Sequence, residues 1–300
     1  MHRRTAQRMG SAFFACVRLL LAVWWRLCLG LPGCRAAFES SPMTKRTQAI
    51  KRIYSGRGIE LYRGDCLQAM EQMKRRGVEF DAVMTDPPYS SGGLHLSSRQ
   101  KCTNEKYRQT GHKIEMKAFL GDNMDQRSYR LWAMTWLGTA AELLKPGGLV
   151  CLFTDWRQLP TMTDILQGAG LNWCGIVPWD KKNTRPRIGG FNQRCEFIVW
   201  GTKGTRPRVG PSLPGAYQMS PVSTQRRVHF AEKPVELMKQ LLRAVSESGG
   251  ESVLDPFAGG ATTLVAAREL GLRAVGIEKS EAIAEDARQR LKAKPEKISA

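Results

Sequence analysis

Acidic residues are scarce in this sequence. Its 300 residues carry 27 Asp and Glu against 46 Lys and Arg, a formal charge of +19, and an excess of that size favours a polyanionic partner such as nucleic acid. Histidine is rarer, with four copies, and neither these nor the eight cysteines form a Cys-x-x-Cys or His-x-Cys grouping. That excludes the usual metal arrangements and leaves the cysteines as reduced cytosolic thiols. No pair among His95, His112 and His229 has metal-ligand spacing either. Long apolar runs are missing as well. The nearest candidate, residues 11–34, is interrupted by Arg18 and Arg26 and falls short of the roughly 18 uninterrupted residues of a membrane span. What is present is a 42% hydrophobic content, enough for a substantial core, which excludes intrinsic disorder, collagen and a disulfide miniprotein.

The basic start and apolar outline of residues 1–34 suggest a secretion signal or anchor, but a cytosolic-looking basic domain follows. Met43 opens an ordinary soluble stretch, Thr44-Lys45-Arg46-Thr47-Gln48. Residues 1–42 are therefore read as an extension outside the fold, with Met43 as the natural initiator, the domain over 43–300, no membrane contact and a cytoplasmic location. Without the extension's six Arg and one Glu the chain stays strongly basic.

From residue 43 onward strands and helices alternate, the pattern of an α/β fold with helices on both faces of a sheet. The periodicity predicts strands at 59–62, 79–84, 148–154, 172–178, 194–200, 251–255 and 272–277. It predicts helices near 65–75, 127–144, 160–168, 234–247, 261–270 and 280–292, with Lys145-Pro146-Gly147-Gly148 as a helix stop. Two regions break the alternation. Residues 90–126 are polar with scattered cations, and residues 181–227 hold ten Lys and Arg against the single acid Glu196. A cationic run of this kind beside a pocket tracks phosphates.

Two strand ends carry the chemistry. Ser252-Val253-Leu254-Asp255 runs into Pro256-Phe257-Ala258-Gly259-Gly260-Ala261-Thr262 and a helix, an arrangement that lets backbone amides approach a ligand closely. About 20 residues on, the next strand ends in Glu278, placed to accept hydrogen bonds from ribose hydroxyls, so a nucleoside-containing cofactor is expected. The strand ending at Thr85 leads into Asp86-Pro87-Pro88-Tyr89. Two prolines fix the backbone and remove two donors, so the turn offers carbonyl acceptors beside the Asp86 carboxylate. Such a turn grips an amino group. Adenine and cytosine present amino groups in a duplex, and accepting both hydrogens favours a nitrogen able to attack a sulfonium methyl, with Tyr89 stacked on the everted base.

With these motifs the chain resembles the S-adenosylmethionine-dependent amino-group DNA methyltransferases, the adenine-N6 and cytosine-N4 family. Thr85-Asp86-Pro87-Pro88-Tyr89 resembles the catalytic motif, Asp255-Pro256-Phe257-Ala258-Gly259-Gly260 the cofactor loop, Arg63-Gly64-Asp65-Cys66 the strand end whose acid contacts the cofactor adenine, and His229-Phe230-Ala231-Glu232-Lys233-Pro234 the segment that closes over the methionine moiety. Catalytic motif before cofactor loop is the order of the family's beta group. The glutamine-modifying protein methyltransferases place their Asn-Pro-Pro-Tyr after the glycine loop. The resemblance implies a Rossmann-like class I methyltransferase sheet, mostly parallel with an antiparallel edge hairpin and a circularly permuted motif order. It assigns catalysis to Asp86, Pro87, Pro88 and Tyr89, and the S-adenosylmethionine site to Asp65, Lys233, Asp255, Phe257, Gly259, Gly260, Thr262 and Glu278. Double-stranded DNA is the implied partner, with no metal.

Residues 181–227 occupy the slot of the family's target-recognition region, which nominates Lys181, Lys182, Arg185, Arg187, Arg206 and Arg208 for DNA, with Trp179 and Phe191 as stacking or packing aromatics. Aspartate at position 86 favours adenine N6, since the cytosine-N4 enzymes more often show serine there; cytosine N4 is the alternative acceptor. Ala261, where the family usually has glycine, motivates a rival of another class, a DNA-binding homologue with impaired catalysis. Cys66, outside any Pro-Cys turn, is expected to be a buried thiol.

Overall fold

A computed structural model describes residues 49–89, 124–182, 186, 188–222 and 232–293. Expectations for residues 1–42, for the stretch after Tyr89, and for Arg185, Arg187 and the three histidines lie outside these residues. In chain order the elements are β1 (Lys51–Gly56), β2 (Ile59–Arg63), α1 (Cys66–Arg75), β3 (Phe80–Thr85), α2 (Gln126–Glu142), β4 (Leu144–Thr154), α3 (Leu159–Gly168), β5 (Asn172–Asp180), β6 (Cys195–Thr202), β7 (Tyr217–Gln218), α4 (Val235–Ser246), β8 (Ser252–Asp255), α5 (Thr262–Glu269), β9 (Arg273–Glu278) and α6 (Glu281–Lys292).

The strands form one sheet in the order β1-β2-β9-β8-β3-β4-β6-β5-β7. The run from β2 to β4 is parallel throughout. β6 is antiparallel to both β4 and β5, and β1 adds an antiparallel strand at the opposite edge. The central strands read as unbroken apolar runs because helices cover both faces. Ala82 and Met84 of β3 join a core with Leu237, Leu264 and Ala287 from α4, α5 and α6, whereas Val83 points the other way, into a core with Met70, Trp136 and Met162 from α1, α2 and α3.

Local chemistry sets the element boundaries. Asp65 caps α1 by accepting from the Leu67 and Gln68 amides at 3.1 and 3.4 Å, and Asp125 caps α2 in the same way at 3.0 and 3.1 Å. The expected helix stop at residues 145–148 lies inside β4. Phe80 pairs with Leu144 and Ala82 with Leu149, so the extra residues of β4 bulge out of register. Gly147 is required there: its φ is +77°, and a Cβ would stand 3.0 Å from the Thr205 carbonyl oxygen. At the amino-terminal ends of the strands, Asp81 joins β3, β4 and β8. It accepts from Lys145 Nζ at 2.8 Å, Ser252 Oγ at 2.6 Å and the Ser252 amide at 3.0 Å.

Candidate active site

The carboxyl ends of β2, β9, β8, β3 and β4 all lie on one edge of the sheet. The connections change side between β8 and β3: the helix after β8, α5, packs on one face and leads outward to β9, whereas the helix after β3, α2, packs on the other and leads outward to β4. A crevice outside the carboxyl ends at such a point is where open α/β sheets bind ligands. The glycine turn after β8 and the diproline turn after β3, remote in sequence, are therefore neighbours. Thr85 Oγ1 donates to Asp255 Oδ1 at 2.6 Å across a separation of 170 residues. Asp255 Oδ1 also accepts the Phe257 amide at 3.1 Å, so the buried Asp255 carboxylate shapes the start of the loop.

Further along the loop, Gly259 donates its amide to Glu278 Oε2 at 3.1 Å, and the Ser280 amide donates to Oε1 at 2.7 Å. Burial outweighs these two donors and, with the nearby Asp255 charge, pushes the Glu278 carboxyl up to about 7. Gly64, after β2, donates to the Glu278 carbonyl at 2.9 Å, and Asp65 accepts from Lys279 at 3.0 Å. Phe257 is wedged edge-on against Trp136, with ring centres 4.9 Å apart, and beside Trp132 at 5.5 Å. Arg290 of α6 ties the loop down. It donates to the Gly260 carbonyl at 2.8 Å and to Thr262 Oγ1 at 3.2 Å, and pairs with Glu232 at 2.7 Å.

On the other side of the crevice, Pro87 is buried while Pro88 and Tyr89 are half-buried. Asp86 pairs through Oδ2 with Lys233, and its Oδ1 is buried with no hydrogen-bond partner among the described residues. Burial, opposed by Lys233 and reinforced by Glu196 and Asp255, pushes the Asp86 carboxyl up to about 6. Lys233 is held above its ordinary value: burial works against its charge, but the two carboxylates prevail. Among the described residues, no group of three or more His, Cys, Asp or Glu is placed to hold a metal.

A protein-family model for DNA methylases of the N6/N4 type matches residues 80–289, more than half of the chain and both turns of the crevice. The chain belongs to the N6/N4 DNA methylase family. It is 27% identical over 266 residues to the type II methyltransferase M2.DpnII of Streptococcus pneumoniae, covering 82% of this chain and 94% of that protein. Among solved structures it shares its fold with the M1.HpyAVI–SAM complex, at a TM-score of 0.58, 22% identity, and coverage of 78% of this chain and 100% of that one. It also shares it with the cytosine-N4-specific PvuII DNA methyltransferase, at a TM-score of 0.57, 16% identity, and coverage of 80% and 88%.

In this DNA methylase the residues nominated from sequence for catalysis and for the cofactor converge on the one edge just described. The cationic region does not stay together. β6 runs antiparallel and carries the chain away from the site, so residues 203–210 lie at the amino-terminal ends of the parallel strands. There Arg206 donates to the carbonyls of Gly147 and Ala244 at 3.1 and 2.6 Å, and Ser248 Oγ reaches the Val209 carbonyl at 3.0 Å. Arg206 and Arg208, grouped in sequence with Lys181 and Lys182, thus stand at the opposite end of the sheet from Asp86. Lys181, Lys182 and the exposed Phe191 belong to the connection that leaves β5 at the site end. Trp179 is a packing residue, buried and donating to the Met219 carbonyl at 2.8 Å. Cys66 is the expected buried thiol, pushed up to about 12 by burial.

Ala261 takes the left-handed conformation with φ +64°, and its methyl is buried in the α4–α6 core. The side chain is absorbed by packing. Glu196 escaped the sequence reading as a site residue: it reaches Lys233 at 3.3 Å and Lys181 at 2.8 Å. Its one signal was being the lone acid in a cationic stretch.

Proposed function

We propose that this DNA methylase transfers the methyl group of S-adenosylmethionine to the exocyclic amino group of a base everted from duplex DNA, with adenine N6 as the acceptor. The observation that carries this reading is the buried Oδ1 of Asp86, unpartnered among the described residues and set beside the glycine turn by the Thr85–Asp255 hydrogen bond.

The residues of the turn fit the cofactor. Glu278 Oε2 accepts the Gly259 amide and Oε1 the Ser280 amide, and the lone pairs that remain are an acceptor set suited to the vicinal hydroxyls of a ribose. Gly259, with φ +48°, leaves open space above its α-carbon: a Cβ there would meet nothing nearer than the Phe257 carbonyl oxygen at 4.0 Å. Phe257 supplies an apolar wall, and Asp65 lies at the adjoining strand end. The bound cofactor supplies a methyl carbon on a sulfonium, whose bond to sulfur breaks as a bond to nitrogen forms.

The chain's own residues do the rest. The free Asp86 oxygen and a carbonyl of the diproline turn accept the two amino hydrogens, which localises the nitrogen lone pair and orients it for in-line attack. The amino group loses one proton in the reaction, and Asp86 is the carboxylate at hand to receive it before solvent does. Tyr89 stacks on the everted base. Phosphates are bound by the connection between β5 and β6, with Lys182 exposed there.

The aspartate at position 86 supports adenine as acceptor. Unmethylated duplex DNA of mixed sequence, incubated with the protein and S-adenosylmethionine and then digested to nucleosides, is expected to yield N6-methyladenosine in its deoxy form. N4-methylcytosine in its place would reassign the acceptor, and no methylated nucleoside would refute the proposed reaction.

A further inference from the structure

Lys233 is an unusual residue to find beside a carboxylate that must accept hydrogen bonds. Its ammonium is buried, with the side chain 6% exposed, and it touches two carboxylates: Asp86 through Oδ2 and Glu196 through Oε2 at 3.3 Å. Glu196 is in turn held through Oε1 by Lys181 at 2.8 Å, and the Phe153 ring lies 5.2 Å from the Lys233 nitrogen. The cluster contains two cations and two anions, which is the condition for keeping such charges out of water. Its members come from separate elements: the turn after β3, the residue before Pro234 and α4, the start of β6 and the end of β5. No local sequence preference brings them together.

Resting on the function proposed above, we propose that Lys233 is a positioning residue of methyl transfer. Steadied by Glu196, it engages one oxygen of Asp86 and so keeps the other free, fixed and anionic for the acceptor amino group. The physical argument has two parts. A carboxylate bound at one oxygen cannot swing, so the direction of its second oxygen is set before the base arrives. In addition, Asp86 sits near Glu196 and Asp255 in a buried place, and without the intervening cation the nearby anions would drive it to take up a proton. A protonated Asp86 has lost the charge that strengthens its hold on an amino group.

Among the described residues the charged groups facing Asp86 are Lys233, Glu196 and Asp255, with Lys181 one step behind Glu196. Their removal has opposite signs. Lys233→Met takes away the cation, so Asp86 holds its proton to higher pH. Glu196→Gln takes away a like charge and leaves Lys233 in place, so Asp86 releases its proton at lower pH. Activity requires the carboxylate and falls as pH drops through its titration.

The test is the pH dependence of kcat for the full-length protein and both variants, measured as transfer of radiolabelled methyl from S-adenosylmethionine to amplified, hence unmethylated, duplex DNA. The expected result is an acid limb moved up by about one pH unit or more in Lys233→Met, with kcat at neutral pH reduced at least about tenfold. In Glu196→Gln the limb moves down. KM for S-adenosylmethionine stays within about threefold of wild type in both. A merely structural role for Lys233 would lower the amount of active protein without moving the Lys233→Met limb. A cofactor-binding role would raise KM for S-adenosylmethionine and leave the limb where it was. Either result overturns the proposal, and Lys233→Gln, likewise uncharged, takes the place of Lys233→Met if that variant does not fold. Wild-type turnover separates the two levels: a wild-type protein that transfers no methyl refutes the function, while an active wild type with unmoved limbs refutes the role of Lys233.

Discussion

At the scale of single residues, two carboxylates that burial should neutralise divide the work of the crevice. In the proposed reaction Asp86 faces the acceptor, and its Oδ1 has no partner among the described residues. Asp86→Ala is expected to reduce methyl transfer at least about a thousandfold, leaving the dissociation constant for S-adenosylmethionine within about threefold, as read by calorimetric titration. The role proposed for Glu278 is to hold the cofactor instead. Glu278→Gln keeps the shape but removes the charge that would accept ribose hydroxyls, and loss of charged hydrogen bonds worth about 1.5–3 kcal/mol weakens cofactor binding by roughly ten- to a hundredfold. The pH dependence has a definite sign. In the free protein the Glu278 carboxyl is raised to about 7, and hydroxyl donors favour its charged form. Wild-type affinity for S-adenosylmethionine should therefore fall as pH drops below about 7, while that of Glu278→Gln stays flat over the same range. A wild-type affinity independent of pH between 5.5 and 8 would contradict this role.

At the scale of elements, the legible part of the fold is the part written in local chemistry. The buried strands β3, β8 and β9 announce themselves as apolar runs, α1 and α2 follow Asp65 and Asp125 caps, and the two turns carry prolines and glycines whose geometry is intrinsic to them. The two-residue β7 and the edge strand β1 escaped because neither has a long apolar pattern. Lys145-Pro146-Gly147-Gly148 follows the end of α2 at Glu142, as a helix stop does, but also forms a bulge inside β4, because proline and glycine mark both. The division of the cationic region was illegible for a different reason: it follows from β6 running antiparallel, a fact of sheet pairing that no local residue states. Lys233 and Asp86, 147 residues apart, are joined only by tertiary packing. The same holds for Arg290, whose guanidinium fastens α6 to the glycine turn and to Glu232 ahead of α4. Arg290→Met leaves the 4% exposed Glu232 side chain without this cation, a loss of about 3 kcal/mol for a broken buried pair. The expected consequence is a melting temperature lower by about 6–12 °C, together with weaker cofactor binding. Added S-adenosylmethionine should restore part of the loss, because ligand binds only the ordered turn. An unchanged melting temperature would mean that the α6 clamp contributes little to the fold.

At the scale of the whole molecule, the net charge of +19 is a field rather than a site, and the described cations of the 181–227 stretch are divided between the two ends of the sheet. Lys182 sits exposed where β5 ends, on the Asp86 side, its amide held by Asp180 Oδ1 at 2.9 Å. Arg208 is just as exposed but lies among the amino-terminal ends of the strands, in the segment anchored by Arg206. A duplex placed to deliver a base to Asp86 meets the first and not the second. Each phosphate contact contributes about 0.9 to the slope of log affinity against log salt concentration. Lys182→Gln is therefore expected to lower the magnitude of that slope by about 1 and to weaken binding uniformly across sequences. Arg208→Gln, an equal change in net charge, leaves the slope unaltered. Fluorescence anisotropy of a labelled duplex titrated at a series of salt concentrations measures both. Equal slopes for the two variants would mean that DNA senses only the total charge; a smaller slope for Arg208→Gln alone would put the duplex on the other end of the sheet, away from the two turns on which methyl transfer depends.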